Sequence, residues 1–295
     1  MPITVGIPFY NVEEHFPDAI RSVFAQTYQD WELILVDDGS TDSSLEIARS
    51  IRDPRVKVIS DGRNRRLPYR LNQITANARF ELVARMDADD LISPTRFERQ
   101  LAILNEQPEI DLVTTGVCSI TNGNRPIGTR CGSPDDPITG RRLLLCRCAI
   151  LHGALLGRKA WFVRNPYDIA IHTNEDYELW LRAFSRNDLK IYIMPDPLYY
   201  YREQSNVTAK KLIASYTEQA ELYKKYGDLG FNRFEIPLMS ARLRCKSLIV
   251  RLLSASNKMD VLLMRRNRPI ESQESSHIFT VEIGQILKTK LPGLD

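Results

Sequence analysis

The sequence predicts an α/β protein, a mostly parallel central sheet covered by helices, with a basic helical region at its C-terminal end. Three observations carry the prediction. Short apolar runs of strand length alternate with segments of helical periodicity through the first part of the chain, in the order β-α-β-α-β-α-β. The 295 residues, 43% hydrophobic and 26% charged, suffice for one large domain plus an appendage. Charge is unevenly placed: residues 209–268 hold 13 Lys plus Arg against 5 Asp plus Glu, so taking that +8 from the overall +3 leaves −5 for the remainder.

ITVGI (3–7) reads as a short buried strand, and Phe16, Ala19, Ile20, Val23 and Phe24 follow at helical spacing. WELILV is a second strand ending in DDGSTD, where Gly39 permits a tight turn and Ser40, Thr41 or Asp42 can cap a helix running to Ile51. VKVI (56–59) is the third strand, a helix spans about 72–78, and FELVAR is the fourth strand. Beyond it come a helix near 95–105, a strand near 112–119, a Gly/Pro-rich loop over 121–137 and a helix over 174–184. A soft boundary falls at 208, where the chain turns helical and basic.

Composition narrows the function. Five cysteines, without a Cys-x-x-Cys, argue against a disulfide framework or structural zinc and for a reducing cytosol. No export signal precedes the first strand, and no apolar run reaches spanning length. The chemistry-bearing residues are acidic. Asp37-Asp38 and Asp87-Ala88-Asp89-Asp90 both end predicted strands, the edge at which parallel sheets bind ligands. Carboxylates gathered there are costly unless a cation neutralises them, and oxygen ligands suit Mg²⁺ or Mn²⁺. Asp90 and its neighbours capping the next helix is the plainer alternative. A third acidic pair, Glu175-Asp176, opens the 174–184 helix, where Glu178 and Arg182 can pair at i, i+4.

PFYN, SVFAQTYQDWELILVDDGSTD, VARMDADD and NEDYELWLR, in this order and spacing, resemble the inverting glycosyltransferases of family 2, over roughly residues 3–208. The resemblance implies the nucleotide-sugar-binding GT-A fold, with a nucleotide-sugar half over about 1–118 and an acceptor half over about 119–208, followed by the helical extension 209–295. It implies that Pro8 and Tyr10 pack against the nucleotide base, that Asp38 accepts the uracil N–H, and that Asp89 ligates a metal bridging the diphosphate. Asp87 then holds ribose, a metal-bound water or the metal itself. Asp176 matches the family's catalytic base, with Glu175 beside it able to raise its pKa. His152 in ILHGALLGR matches a position near the acceptor or diphosphate, or else is a core histidine. Arg65, Arg66 and Arg70 approach base or phosphate or form a solvated basic loop, and Trp180 stacks on an acceptor sugar or fills the core. Family members commonly read YR-x-His-x-x-x-Ser, whereas this chain reads YREQSNVT, with Gln204 at the His position and Thr208 at the Ser position, so a role of that His in holding the metal or diphosphate is weakened here or shared with Arg202 and Gln204.

The expected reaction is an inverting, metal-dependent transfer of a hexose, galactose or glucose, from a UDP-sugar to a polyprenyl-diphosphate-linked sugar, as in bacterial O-antigen and surface-polysaccharide assembly. The helix over 237–253 puts Leu238, Ala241, Cys245, Leu248, Ile249 and Leu252 on one stripe. That stripe either packs on the catalytic domain or, with the basic residues of 209–268, lies on an anionic membrane surface. The second choice puts the protein at the cytoplasmic face of the cell membrane. Nucleic acid is not an expected partner, since no aromatic platform accompanies the charge. The rival readings are a polyprenyl-phosphate glycosyltransferase, a sugar-1-phosphate nucleotidylyltransferase, against which the missing Gly-rich loop after the first strand counts, and a non-catalytic nucleotide-sugar-binding protein.

Overall fold

β1 (Ile3–Phe9) is buried at every position. It sits inside a seven-stranded sheet ordered β10-β6-β9-β4-β1-β2-β3, in a computed structural model that describes residues 1–203, 208–256, 270 and 273–295. Its neighbours β2 (Trp31–Asp37) and β4 (Leu82–Arg85) run parallel to it, and β3 (Val56–Ile59) extends the sheet beyond β2. Alternation along these strands serves two cores. Ile3, Val5, Ile7, Leu33, Leu35, Leu82 and Ala84 face one cluster, while Ile34, Val36 and Val83 face the other. A sheet buried on both faces explains the unbroken apolar runs.

Helices cover the faces. α1 (Phe16–Phe24) turns Phe16, Ala19, Ile20 and Val23 inward, as its spacing predicts, and α2 (Ser44–Ser50) follows β2. α3 (Arg66–Asn77) begins six residues before the expected start and buries Leu71 and Ile74. Ile74 lies so close to Gly6 that a Cβ there would meet it at 2.3 Å. α4 (Arg96–Glu106) agrees with expectation.

The strand expected near 112–119 is two strands. β6 (Leu112–Thr114) joins the large sheet and β7 (Val117–Ile120) a second one of order β5-β11-β7-β8. The break falls at Gly116, where a Cβ would meet Cys131 Sγ at 2.8 Å and the Pro195 carbonyl at 2.9 Å. The second sheet adds β5 (Leu91–Ile92), β8 (Pro126–Arg130) and β11 (Tyr199–Arg202), so the predicted loop over 121–137 contains a hairpin strand. After α5 (Gly140–Leu144), β9 (Leu156–Arg158) enters the large sheet antiparallel to both β4 and β6. α6 (Lys159–Arg164), α7 (Glu175–Ser185) and β10 (Ile191–Ile193) complete this part.

α8 (Ala209–Tyr226) and α9 (Glu235–Ala255) follow. Leu222, Tyr223, Tyr226 and Leu243 share a core cluster with Tyr177, Trp180 and Leu181 of α7. α10 (Gln273–Lys288) returns to the second sheet, setting Phe279, Ile283 and Ile286 against Leu91, Ile120 and Tyr200, and Asp295 pairs with Arg21 at 2.5 Å. The inward face of α9 is not the predicted apolar stripe. Its buried residues are Ser240, Leu243 and Val250, while Leu238, Leu248, Ile249 and Leu252 are 52–63% exposed, which removes packing on the catalytic domain as their explanation. Among the described residues no helix is long and apolar enough to cross a membrane.

Candidate active site

β1, β2 and β4 run parallel and release their loops at one edge, so Asp37-Asp38, Asp87 and Asp89 gather there although up to about fifty residues apart in sequence. A cleft of about 910 Å³ opens at that edge, lined by Arg85, Asp87, Asp89, Asp90, His152, Glu175 and Asp176 among others. The VARMDADD and NEDYELWLR motifs therefore meet in one cavity.

The acidic loop does three different things. Asp87 pairs with Arg85 at 2.7 Å. Asp90 is fully buried, accepts hydrogen bonds from the Tyr199 hydroxyl at 2.8 Å and the Arg202 amide at 2.7 Å, and so ties the loop to β11 rather than capping α4. Burial, with Asp89 and Asp87 adding repulsion, pushes its carboxyl well above the usual range. Asp87 and Asp89 face the cleft beside it. Among the described residues no group of three or more His, Cys, Asp or Glu could hold a metal. Two carboxylates fit a hard cation that draws its other ligands from diphosphate and water, as Mg²⁺ and Mn²⁺ do.

The opposite wall is the N-terminus of α7. Glu175 and Asp176 lie in its first turn, where the helix dipole favours negative charge, and Asp176 Oδ1 accepts the Tyr177 amide at 2.7 Å. Loss of solvation nevertheless dominates. It raises both carboxyls, and with the Asp176 charge it pushes Glu175 up to about 7. The turn before them is held from outside: Glu218 of α8 accepts the His172 amide at 2.9 Å, the Thr173 amide at 3.0 Å and the Thr173 hydroxyl at 2.7 Å. Burial raises the Glu218 carboxyl, yet these donors outweigh it and hold the group below its usual value.

His152 lines the cleft, its Nε2 2.7 Å from the Tyr167 hydroxyl, and burial beside Arg85 drives its pKa well down, so it is neutral near pH 7. Trp180 is buried, stacked on Trp161 at 6.2 Å and edge-on to His152 at 6.0 Å. Those two sides of the ring belong to the core, and the remainder lines a cavity behind the cleft.

Pro8, Tyr10, Asp38, Arg65 and Arg70 stand at the same sheet edge but do not line the cleft, whereas Leu67 of α3 does. Asp38 already accepts the Arg65 amide at 2.7 Å, the Arg66 amide at 3.0 Å and Arg70 Nε at 2.8 Å. Arg70 is fully buried and spends its guanidinium on Asp38 and Asp61, so it shapes this loop instead of reaching a ligand. Arg65 pairs with Asp61 at 2.7 Å and lies over the Tyr69 ring, and Tyr10 is 47% exposed. Gly39, at φ +80, makes the turn against Arg63 that brings these donors in. Arg202 likewise plays a structural part: its guanidinium donates to the carbonyls of Asp89, Thr121 and Asn122, fastening the acidic loop rather than a diphosphate. Gln204 lies outside the described residues, and Thr208 caps α8 by accepting the Lys211 amide at 3.2 Å.

The sequence model of "Glycosyl transferase family 2" matches residues 4–162, more than half of the chain. The chain belongs to glycosyl transferase family 2. This family 2 enzyme is 30% identical over 254 residues to "Putative glycosyltransferase EpsE" of Bacillus subtilis, covering 84% of this chain and 88% of that one. It is 28% identical over 200 residues to "UDP-Glc:alpha-D-GlcNAc-diphosphoundecaprenol beta-1,3-glucosyltransferase WfgD" of Escherichia coli, covering 63% and 71%. Its fold is similar to that of glucosyl-3-phosphoglycerate synthase from Mycobacterium tuberculosis in complex with Mn²⁺, UDP and glucosyl-3-phosphoglycerate, with TM-score 0.56, 21% identity and 77% and 80% of the chains covered. The glycosyltransferase has the GT-A architecture expected of the family.

Several residues of this transferase site escaped the motif reading. Arg85 is the basic residue at the inner edge of the acidic cluster, and its signal was a lone charge inside an apolar strand. Tyr199 and Tyr167 are distant in sequence and gave no local signal. Gly153 follows His152 because a Cβ there would meet Tyr199 Oη at 2.6 Å and Asp87 Oδ2 at 2.9 Å.

Proposed function

We propose that this glycosyltransferase moves a hexose, glucose or galactose, from a UDP-sugar to a hydroxyl of a lipid-diphosphate-linked sugar, with inversion at the anomeric carbon. One observation carries the reading: Asp176 opens into the same cleft as the acidic pair Asp87 and Asp89. The likeness to a relative named for a UDP-glucose donor and a diphosphoundecaprenol acceptor supports the substrate classes, and a lipid-linked acceptor fits surface-polysaccharide assembly.

In this reading Asp176 takes the proton of the acceptor hydroxyl as that oxygen bonds to the anomeric carbon, and the bond to the UDP oxygen breaks on the opposite face, UDP leaving with the electron pair. Loss of solvation, with the Asp87 charge adding to it, keeps Asp176 basic enough to accept the proton. Arg85 restrains Asp87 so that the acidic loop presents a fixed face to the donor. Asp89, with Asp87, is the proposed ligand of Mn²⁺ or Mg²⁺, which when bound neutralises the diphosphate as a Lewis acid. Pro8, Tyr10 and Asp38 are proposed to receive the uracil, through the one acceptor site that the Arg65, Arg66 and Arg70 donors leave on Asp38 Oδ2. The nucleotide-sugar half is then about 1–118 and the acceptor half about 119–208, and the exposed stripe of α9 with the cations of 209–268 rests on the anionic inner leaflet.

UDP release from a panel of UDP-sugars with Mn²⁺ or Mg²⁺, with and without a synthetic lipid-diphosphate GlcNAc, tests this. Acceptor-stimulated release is expected, falling at least about 10³-fold in Asp176→Asn and Asp89→Ala, the scale of lost general-base or metal chemistry. Acceptor-stimulated release that Asp176→Asn leaves intact would sink the assignment of the base.

A further inference from the structure

A second cavity, of about 420 Å³, lies behind the cleft, between α7 and the C-terminal helices. The two cavities share Cys146, Cys148, Ile150 and Asp176, so the proposed base stands where they meet. The second cavity's character differs from that of the first. Tyr177, Trp180, Leu212, Tyr216 and Met239 give it an apolar body, and Arg147, Arg242 and Lys246 its charge, with Asp176 the sole lining carboxylate among the described residues. None of the three cations has a carboxylate partner among the described residues, although 17 Lys or Arg ion pairs occur elsewhere among them. Arg242 and Lys246 are one turn apart on α9, and Lys246 Nζ stands 5.6 Å over the Tyr216 ring.

The exposed stripe adjoins this pair. At about 100° per residue, Leu238 and Ile249 lie roughly 20–80° around the helix from Arg242 and Lys246, on the side away from the buried Leu243. Moving outward from Asp176, the surface is therefore an apolar-walled chamber, a row of unpaired cations and an exposed apolar strip. A chamber of this size takes a sugar headgroup and leaves a long chain outside. Guanidinium and ammonium groups without carboxylates are built for phosphate oxygens.

We propose that this cavity is the acceptor subsite: the acceptor sugar enters it beside Asp176, its diphosphate is held by Arg242 and Lys246 with Arg147, and its lipid runs along Leu238 and Ile249. The inference rests on the lipid-diphosphate reading above and assigns α8 and α9 a substrate-binding role.

Calorimetric titration of the full chain with farnesyl diphosphate, farnesol and inorganic pyrophosphate tests it. Farnesyl diphosphate is expected to bind at least about tenfold more tightly than either component alone. The exposed-surface variant Arg242→Ala/Lys246→Ala should lose at least about tenfold of that affinity while its UDP affinity and thermal midpoint stay unchanged. In transfer assays the same variant should raise the acceptor KM and leave the donor KM as it was. Equal farnesyl diphosphate binding by wild type and variant, no binding by wild type, or pyrophosphate binding as tightly as farnesyl diphosphate would overturn the subsite. If binding behaves as expected but no UDP-sugar reacts, the transfer reading fails and the subsite stands. Transfer that proceeds with an unchanged acceptor KM in the variant refutes the subsite alone.

Discussion

Glu175 and Asp176 illustrate how one turn of helix sets a working pH. Both carboxyls are raised because solvent is withdrawn from two acids side by side, more than the helix dipole restores. The base is active only when ionised, so kcat/KM is expected to rise with pH along a limb above the ordinary carboxylate value, because burial raises Asp176. Linkage gives a companion expectation. A carboxyl raised in the folded state contributes stability below its unfolded pKa, and that contribution is lost as pH climbs toward about 7. Glu175→Gln should thus be more stable than wild type at pH 8, on the order of 1 kcal/mol after solvent screening, the difference closing near pH 4.5 in urea melts. A variant less stable at pH 8 than at pH 4.5, relative to wild type, would contradict the cause assigned to the shift.

At the level of elements, α8 acts on the site without entering the proton-transfer step. Glu218 collects the amides of His172 and Thr173, fixing the turn from which α7 starts. Removing it leaves these donors without an acceptor, at a cost of about 1–3 kcal/mol. Glu218→Ala should lower kcat about 10–100-fold with the donor KM nearly unchanged, because the base is displaced while the nucleotide edge is not. Glu218→Gln, which retains a carbonyl acceptor, should recover part of the loss. A fall in donor affinity equal to the fall in kcat would show that α8 acts more broadly. α7 itself carries both of the roles read for it. Its first turn holds the acids of the cleft, and its body holds the Glu178–Arg182 pair at 3.1 Å, with Glu178 buried and bonded to Tyr226.

On the scale of the whole molecule, charge and exposed apolar surface coincide in the C-terminal region, where Leu238, Leu248, Ile249 and Leu252 stand out among the basic residues of α9. Each cation near an anionic leaflet contributes about 1 kcal/mol, and the apolar strip adds about 25 cal/mol per Å² buried. In flotation assays the protein should associate with vesicles containing anionic lipid, release at high salt, and lose most of the association when the four residues are changed to Ser. Equal partitioning onto neutral vesicles would remove the electrostatic part. The sequence alone determined the order of β1 to β4 with their helices, and the placement of both acidic clusters at strand ends, because strand and helix periods are local and a parallel sheet puts its loops at one edge. It also carried the family, through four ordered motifs. What only the tertiary structure decided depends on contacts between distant segments. These are the split at Gly116 into two sheets, the hairpin strand β8, the burial of Arg70, Asp90 and Arg202 in roles that position rather than contact a ligand, the packing of Trp180 against Trp161 and His152, and the recruitment of Arg85, Gly153 and Tyr199. The α9 stripe belongs with them. Its apolar period is plain in the sequence, but periodicity states only that a face is apolar, and whether protein covers it depends on how α8 and α7 meet the helix in space.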